Sequence, residues 1–538
     1  MRLLSRHASA AAMLLLACLL AWPSFSIWGA WLGIDAQHLS IIGHMVETVL
    51  PDYAWTSLLM CIGVGIGVAA LGSACAALVC LFDFPARRWL EWALLLPMAM
   101  PAYVVAYAYT DFLQFSGPLQ TALRQLTGWR GALWPDVRSL GGAIAIFTLT
   151  LYPYVYLLVK TALREQANRP LEAARLLGAS TTRRILTIAL PMARPAIAAG
   201  VALALMETLA DFGVSSYFGI QSFSAGIYKA WLAMDAPLVA AQLASTLLVI
   251  VLLLMQLEKR AQNRQRFASS RSANRVHVEP PDGGGLTPWV LLGLGSLPVM
   301  LGFGLPSAIL LWHWLIDPQA ADLQRYAQWG WNSLRLAGLT AALAVGLAVL
   351  IGARNRLTPT ALGLSLTRLI QLGYAIPGAV VVVGILWPLT LSSASASGPA
   401  VSAWLITSGV ALIWAYLVRF TAVAMQSMDS GYARIPQSFD EASHTLGISG
   451  WSLWRRLHLP LLRGNIAAAM LLVFVDVMKE LPATLVLRPF DSDTLAVVAY
   501  QLARDERLGE AALPSLALVA FGLIPVLLLN KRSRNSKP

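Results

Sequence analysis

The chain has 538 residues, of which 57% are hydrophobic and 12% are charged, and its mean hydropathy is +0.65. Soluble globular domains carry about 25% charged residues, so this composition excludes an ordinary soluble protein. The formal net charge is +12. The basic residues lie between apolar runs, so we expect no nucleic acid partner and assign the charge to membrane topology.

Apolar runs recur along the whole chain, and a run of about 20 residues is long enough to cross a bilayer as a helix. They predict an all-α polytopic membrane protein with about twelve transmembrane helices, because backbone groups cannot stay unpaired in lipid. The predicted spans of the first half are 9–32, 54–82, 89–110, 141–163, 195–218 and 237–257. Those of the second half are 288–315, 333–353, 366–390, 399–421, 464–487 and 513–530.

The first apolar run has two readings. Arg2 and Arg6 precede it as in a signal peptide, and Cys18 ends a sequence similar to a lipoprotein cleavage box. The run continues to about Leu32, which is too long for a signal-peptide core, so we predict a retained first span. All four cysteines lie in apolar segments, which favours buried small residues over a disulfide or metal framework. They are Cys18, Cys61, Cys75 and Cys80.

The charge distribution predicts the orientation. About 29 of the 39 Lys and Arg residues fall on the side of the two termini, which predicts cytoplasmic N- and C-termini in a bacterial inner membrane. The segment 258–287 is basic, rich in Pro and Gly, and without apolar period. We therefore predict a first transmembrane half at 1–257, a flexible cytoplasmic linker at 258–287 and a second half at 288–538. Binding of the linker to anionic membrane lipid is the alternative.

An internal repeat relates the two halves. Residues 172–191 read EAARLLGASTTRRILTIALP and residues 441–460 read EASHTLGISGWSLWRRLHLP, at a constant offset of 269. Each copy lies in a predicted cytoplasmic loop between the fourth and fifth spans of its half. The repeat predicts two homologous six-helix halves in the same orientation.

Each copy of the repeat predicts a short helix, a turn and a second short helix. Gly178 and Gly447 are expected to end the first helix, because glycine tolerates the left-handed conformation. Ser180 and Ser449 are expected to begin the second. An amphipathic hairpin at the membrane surface fits the same pattern, so the local pattern leaves open whether a partner docks here.

The pattern of Glu-Ala-Ala, three residues, Gly, nine residues, a hydrophobic residue, one residue and Leu-Pro resembles the EAA loop of ABC importer permeases. The second copy departs mildly, at Ser443 and Leu457. In that family the loop forms a coupling helix that sits in a groove of the ATPase subunit. The resemblance implies the type I importer permease fold and an ATPase-coupling role for specific residues. They are Glu172, Ala173, Ala174, Gly178, Glu441, Ala442 and Gly447.

The chain lacks the signatures of an enzyme. It contains no GxxxxGK[ST] phosphate loop and no Ser-His-Asp or metalloprotease spacing. We therefore predict a transport subunit without catalytic residues or cofactor. Its energy would come from a separate cytoplasmic ATPase dimer.

Two pairs of acidic residues occupy equivalent positions inside predicted spans. Glu207 corresponds to Asp476, and Asp211 to Glu480, at the same offset of 269. A spacing of four places each pair on one helix face, and charged residues in spans are functional candidates. We expect the two acidic faces to meet at a pseudo-twofold axis and to line or gate the translocation pathway. Structural pairing with Lys479 or with a neighbouring helix is the alternative.

Prolines and tyrosines stand out in the third, fourth and ninth spans. Pro97, Pro101 and Pro377 predict kinked helices. Tyrosine oxygens suit a hard cation, but we prefer interfacial anchoring for this group and assign no metal site. The tyrosines are Tyr103, Tyr107, Tyr109, Tyr152, Tyr154 and Tyr156.

Residues 478–518 and 210–235 resemble the ferric-iron permease family, and fused permeases of this length are typical of ferric-iron and thiamine importers. The resemblance implies ferric iron delivered by a periplasmic solute-binding protein. That protein is expected on the outer loops 111–140, 219–236, 316–332 and 488–512. Thiamine or another small solute is one alternative. An ion-coupled secondary transporter is another; it would use Glu207 and Asp476 but would not need EAA loops.

Overall fold

The computed structural model describes residues 2–32, 43–45, 47–166, 168–268, 287–316, 322–392 and 398–535. These residues form helices, and none of them belongs to a β-strand. The all-α fold class predicted from the apolar runs is confirmed.

The helices before the predicted linker are α1 (Arg2–Ser26), α2 (Leu50–Leu81), α3 (Arg87–Ala93), α4 (Ala102–Leu113), α5 (Pro118–Thr127), α6 (Leu140–Gln166), α7 (Asn168–Leu176), α8 (Thr181–Arg184), α9 (Leu190–Ala210), α10 (Gly213–Tyr217), α11 (Phe223–Tyr228) and α12 (Pro237–Ala268). Shorter 3₁₀ or π turns adjoin them at Ile27–Trp31, Leu96–Ala99, Ile185–Ala189 and Lys229–Ala233.

The helices after the linker are α13 (Thr287–Val299), α14 (Leu305–Ile316), α15 (Leu323–Leu357), α16 (Ala361–Gln371), α17 (Gly378–Ser392), α18 (Gly398–Thr407), α19 (Val410–Tyr432), α20 (Gln437–Thr445), α21 (Gly450–Leu453), α22 (Leu459–Met478), α23 (Pro482–Leu487), α24 (Leu495–Arg504) and α25 (Leu508–Asn535). The 3₁₀ or π turns here are Met300–Gly304, Leu372–Ala375 and Trp454–His458.

Twelve segments of the described chain qualify as membrane spans when each bent pair counts as one. Ten are single helices, and two are helix pairs bent at a short break, by 89° in the third span and by 111° in the ninth. The number agrees with the twelve spans predicted from hydropathy. The fifth, tenth and eleventh spans begin at Thr181, Val410 and Gly450 and not at the predicted 195, 399 and 464.

Both breaks fall at prolines that the sequence singled out. Met100 and Ile376 adopt extended conformations, with ψ of 124° and 121°, just before Pro101 and Pro377. A residue that precedes proline is driven out of the helical region, and proline cannot donate the next helical hydrogen bond. The predicted kinks are therefore complete breaks.

The chain forms two compact units, each drawn from both sequence halves. Unit 1 consists of Met1–Leu39, Ile227–Leu248 and Leu323–Val498, and unit 2 of Ser40–Gly226, Val249–Asp322 and Ala499–Pro538. Within unit 1, α1 packs closely on α17, where Ser26 Oγ donates a 2.5 Å hydrogen bond to Gly384 O. The boundaries 1–257, 258–287 and 288–538 remain a prediction from the repeat.

The structure corrects the start of the predicted linker. Residues 258–268 continue α12 as helix, so the expectation of a flexible segment was wrong there. This stretch is rich in the helix formers Glu, Lys, Arg, Gln and Ala and contains neither Gly nor Pro. Residues 269–286 lie outside the described residues.

Candidate functional site

The first EAA loop ends its helix with a left-handed glycine. Gly178 follows α7 with φ of +80°. Its N–H donates to Arg175 O at 2.9 Å, and Ala179 N–H donates to Ala174 O at 3.0 Å. These two bonds form the Schellman motif, which satisfies carbonyls at a helix end. The turn predicted at Gly178 is confirmed.

The second EAA loop repeats the same turn. Gly447 follows α20 with φ of +74°. Its N–H donates to His444 O at 3.0 Å, and Ile448 N–H donates to Ser443 O at 2.9 Å. Each atom has its counterpart 269 residues earlier. Ser180 and Ser449 occupy the N-cap positions of α8 and α21, as the sequence predicted.

The loops expose their motif residues together with large aliphatic side chains. Glu172, Ala173 and Gly178 are exposed, as are Glu441, Ala442 and Gly447, whereas Ala174 is buried. Beside them Leu176, Leu177 and Leu446 are 89%, 87% and 77% exposed. Each loop therefore combines an ordered backbone with at least one large, exposed aliphatic side chain.

A π turn follows each loop, and the sequence analysis did not predict it. The turns at Ile185–Ala189 and Trp454–His458 lie at equivalent positions of the repeat. Each is followed by Leu-Pro, and the proline at 191 or 460 cannot donate to the carbonyl four residues earlier. The invariant Leu-Pro pair of the two copies was the available signal for this local widening of the helix.

Asp440 anchors the second loop to the adjoining helices. Its Oδ2 lies 2.6 Å from Arg356 Nε on α15, and its Oδ1 lies 2.7 Å from His458 Nε2 in the π turn. Arg356 also donates to the Ile435 and Pro436 carbonyls. Burial opposes ionisation of Asp440, but hydrogen bonds from His458 and Arg356 outweigh it and hold its pKa below the usual value.

The first loop does not repeat the Asp440 contacts at the equivalent positions of the described chain. The offset of 269 places Leu171 at the position of Asp440 and Ala189 at the position of His458. Leu171 is 7% exposed and Ala189 is fully buried, so apolar side chains occupy these two positions. The two loops share their turn geometry but differ at the positions of Asp440 and His458.

In unit 2, Asp211 caps a new helix instead of extending the old one. Helix α9 ends at Ala210, and Asp211 is extended with ψ of 128°. Its Oδ1 accepts a 2.8 Å hydrogen bond from Val214 N–H at the start of α10. Glu207 lies in the last turn of α9 and is half-buried. Within the described part of the chain Asp211 has no ion-pair partner.

In unit 1, Glu480 likewise caps the following helix, and it also forms an ion pair with Arg419. It is 5% exposed, and its carboxylate accepts 3.0 Å hydrogen bonds from the Ala483 and Thr484 N–H groups that begin α23. Arg419 Nη1 lies 2.9 Å from Glu480 Oε1. The offset of 269 places Thr150 at the position of Arg419, so the charge pairing is specific to unit 1.

The prediction that each acidic pair lies on one helix face was wrong. Asp211 and Glu480 both lie beyond the helices that carry Glu207 and Asp476. A side-chain carboxylate that accepts from the next helix's N–H groups favours a cap over continued helix, and Pro482 cannot bond back to Met478. Asp476 and Lys479 are half-buried and both have interaction partners.

For five of the six tyrosines the preferred interpretation was also wrong. Tyr107, Tyr152 and Tyr156 are fully buried, and Tyr103 and Tyr109 are 4% and 7% exposed, so these rings pack inside the protein and not at an interface. Tyr154 is half-buried. The phenol oxygens of Tyr107 and Tyr152 have no hydrogen-bond partner among the described residues. No group of three or more His, Cys, Asp or Glu residues suited to a metal ion occurs among the described residues.

These features define the class of protein: a polytopic helical transport subunit with two equivalent loops presented to a partner. Comparison with known families agrees. Residues 69–266 and 343–532 each match the family described as the inner membrane component of binding-protein-dependent transport systems. The chain belongs to this family of ABC permeases. It is a multi-pass inner membrane protein and a transport subunit, not itself an enzyme, and it works with an ATPase and a periplasmic binding protein.

Individual relatives cover different shares of the chain. The chain is 27% identical to Fe(3+)-transport system permease protein FbpB 2 of Haemophilus influenzae over 88% of both chains. It is 25% identical to ferric transport system permease protein FbpB of Actinobacillus pleuropneumoniae, over 77% of this chain and 61% of the relative. Spermidine/putrescine permease PotB of Haemophilus influenzae is 32% identical over 25% of this chain and 46% of its own.

Proposed function

We propose that this chain is the permease of a ferric-iron ABC importer. The observation that carries the proposal is the likeness to an Fe(3+)-transport permease along 88% of both chains. Permeases named for other solutes match less: the polyamine permease covers 25% of this chain and an aminoethylphosphonate permease covers 38%. A likeness that spans both halves supports a shared cargo better than one confined to a single segment.

The proposal assigns ATPase coupling to the two EAA loops. Glu172, Gly178, Glu441 and Gly447 are exposed on these loops, and the adjoining leucines offer an apolar contact surface. A movement of the ATPase is transmitted to the membrane helices more effectively by an ordered loop than by a flexible one. The Schellman turns and the π turns order both loops. Since the ATPase is cytoplasmic, this role places the loops and both termini in the cytoplasm.

The proposal also divides the membrane carboxylates into two roles. Asp211, which has no ion-pair partner in the described part of the chain, is assigned to contact a passing cation, with Glu207 one turn away on α9. Glu480 is neutralised by Arg419 and holds the start of α23 in place. We assign Asp476 and Lys479, which have partners of their own, to the pathway walls of unit 1.

Uptake tests the cargo directly. Radiolabelled ferric iron is supplied to iron-starved cells in which the gene is deleted or restored, with labelled thiamine run in parallel. Restoration of iron uptake alone supports the proposal. Restoration of thiamine uptake alone, or of neither, overturns the iron assignment and leaves the family membership intact.

A further inference from the structure

Phe490 lies exposed at the tip of a short connection. It lies between α23 and α24 and is 91% exposed, the largest exposed fraction among the large hydrophobic side chains of the described chain. Its neighbour Asp491 is also exposed, whereas Thr494 and the residues that follow it are buried. An aromatic ring in this position gains nothing from the fold of its own chain.

The connection that carries Phe490 is fixed at both ends. Arg488 Nε lies 2.6 Å from Asp493 Oδ1, which closes the loop with an ion pair. Asn332 Nδ2 donates to Asp493 O at 3.2 Å and to Asp491 O at 3.4 Å. Asp491 adopts φ of +56°, a left-handed conformation that Asp tolerates better than most residues. The ring is therefore presented by an ordered turn.

The length of helix α15 gives the distance between this turn and the second EAA loop, because the helix contacts both. Its Arg356 bonds to Asp440 of that loop, and its Asn332 bonds to the turn beside Phe490. The two residues are separated by 24 helical positions, or about 36 Å at a rise of 1.5 Å per residue. The hydrocarbon core of a bilayer is about 30 Å thick. The turn and the EAA loop thus lie at opposite faces of the membrane.

The repeat shows that Phe490 is specific to unit 1. The offset of 269 places Gln221 at its position in unit 2. Gln221 is exposed, but its neighbours Phe218 and Ile220 are each only 8% exposed. At the corresponding turn of unit 2, the nearby ring of Phe218 is therefore buried and the exposed residue is the polar Gln221.

We propose that Phe490 is the anchor by which unit 1 grips the periplasmic solute-binding protein, and that its ring enters an apolar pocket with a basic border that receives Asp491. The inference rests on the proposed coupling role of the EAA loops, which puts the ATPase on the opposite face. Burial in lipid is disfavoured because Asp491 and Asp493 flank the ring, and charges are costly in hydrocarbon. Interface energy concentrates in a few preorganised, centrally buried side chains, commonly aromatic.

Site-specific photocrosslinking tests the partner. A benzoyl-phenylalanine is placed at 490, at the matched position 221 or at Leu446 on the EAA loop, in cells that express the whole transporter. The expected adduct at 490, identified by mass spectrometry, is a solute-binding protein, and its yield exceeds that at 221. A lipid adduct, an ATPase adduct or no adduct at 490 overturns the proposal. The Leu446 probe reports separately on the coupling role, because its expected adduct is the ATPase.

Affinity tests the anchor itself. With the crosslinked binding protein as probe, its concentration for half-maximal ATPase stimulation is measured in nanodiscs. Phe490→Ala is expected to raise this concentration about tenfold or more, whereas Phe490→Trp restores stimulation and Gln221→Ala changes the concentration less than threefold. An unchanged value for Phe490→Ala overturns the proposal. This readout does not depend on which solute is carried.

Discussion

Arg356 and Asp440 join a membrane-spanning helix to the second EAA loop through a 2.6 Å contact between Nε and Oδ2. Both side chains are 18% exposed, so solvent screens the ion pair only in part. The fully buried ring of His458 contacts the other carboxylate oxygen of Asp440, with Nε2 2.7 Å from Oδ1. The first loop relies on Leu171 in the place of Asp440, so the two loops should respond differently to the loss of charge.

Asp440→Asn is expected to loosen the second loop. The change removes the charge that Arg356 and His458 share, and hydrogen bonds to a charged group contribute roughly 1.5–3 kcal/mol each. Hydrogen–deuterium exchange of residues 437–448 should rise about tenfold or more, while that of 168–179 stays unchanged. His444→Gln, an exposed substitution on the same helix, is the control. Equal exchange in Asp440→Asn and in the unaltered protein would contradict the anchor.

Local sequence rules predicted much of the structure of the EAA loops. The conformations of Gly178 and Gly447 and the positions of Ser180 and Ser449 follow from glycine and capping preferences within a few residues, and hydropathy was sufficient for the number of spans. Nothing in the local pattern marked Asp440 as an anchor, because its partners Arg356 and His458 are brought to it by tertiary packing. The leucine at position 171 could have signalled that the two loops differ.

The errors share a physical cause. We extrapolated helix periodicity through Asp211 and Glu480. A carboxylate inside a span ends its helix only when a second helix begins directly after it and offers N–H groups to cap, and periodicity does not show this. The tyrosines were judged by their residue type, which is common at interfaces, whereas their burial depends on which helices surround them. The two interleaved units likewise depend on long-range packing.

Gly447→Ala is expected to strain the second loop without any steric clash. Apart from Gly447 and its chain neighbours, no atom of the described residues lies within 4 Å of the position where a Cβ would be added. The left-handed conformation nevertheless costs a non-glycine residue about 1–2 kcal/mol. Binding-protein-stimulated ATP hydrolysis should fall several-fold, and further in Gly447→Pro, while the amount of protein in the membrane is unchanged. Gly178→Ala should behave alike.

Gly346→Ala is the matched control for these glycine variants. Gly346 lies within α15, also has open space around it and has no positive φ, so alanine should be neutral or stabilise the helix by about 0.5–1 kcal/mol. Normal stimulation in both Gly178→Pro and Gly447→Pro would remove the coupling role from the loops.

Glu480→Gln and Asp211→Asn are expected to separate stability from transport. Glu480→Gln leaves Arg419 as an uncompensated charge in a nearly buried site, and breaking a buried pair costs about 3–5 kcal/mol. Its thermal unfolding temperature in detergent should drop clearly, and Arg419→Gln in the same chain should recover part of the loss. Asp211→Asn keeps an oxygen for the Val214 N–H and should change stability by only about 1 kcal/mol.

Iron uptake per folded molecule should be lower in Asp211→Asn than in Glu480→Gln, although Glu480→Gln is the less stable variant. Asp211→Asn removes the carboxyl group that we assign to the translocation pathway, and iron uptake should fall at least tenfold. Glu480→Gln should retain most uptake per folded molecule. Wild-type uptake in Asp211→Asn, measured at equal membrane abundance, would refute a pathway role for this carboxylate.

Tyr107→Phe and Tyr156→Phe are expected to have different effects on stability. Both rings are fully buried, but Tyr156 donates its phenol proton to Glu91 O at 2.7 Å, whereas the Tyr107 oxygen has no partner among the described residues. Removing a satisfied hydroxyl should cost about 1 kcal/mol, and removing an unsatisfied one should be neutral or stabilising. The two unfolding temperatures, measured side by side, check this, and uptake should be normal in Tyr107→Phe. Loss of uptake without loss of stability in Tyr107→Phe would mean that this phenol meets the cargo, and would restore the tyrosines as oxygen ligands.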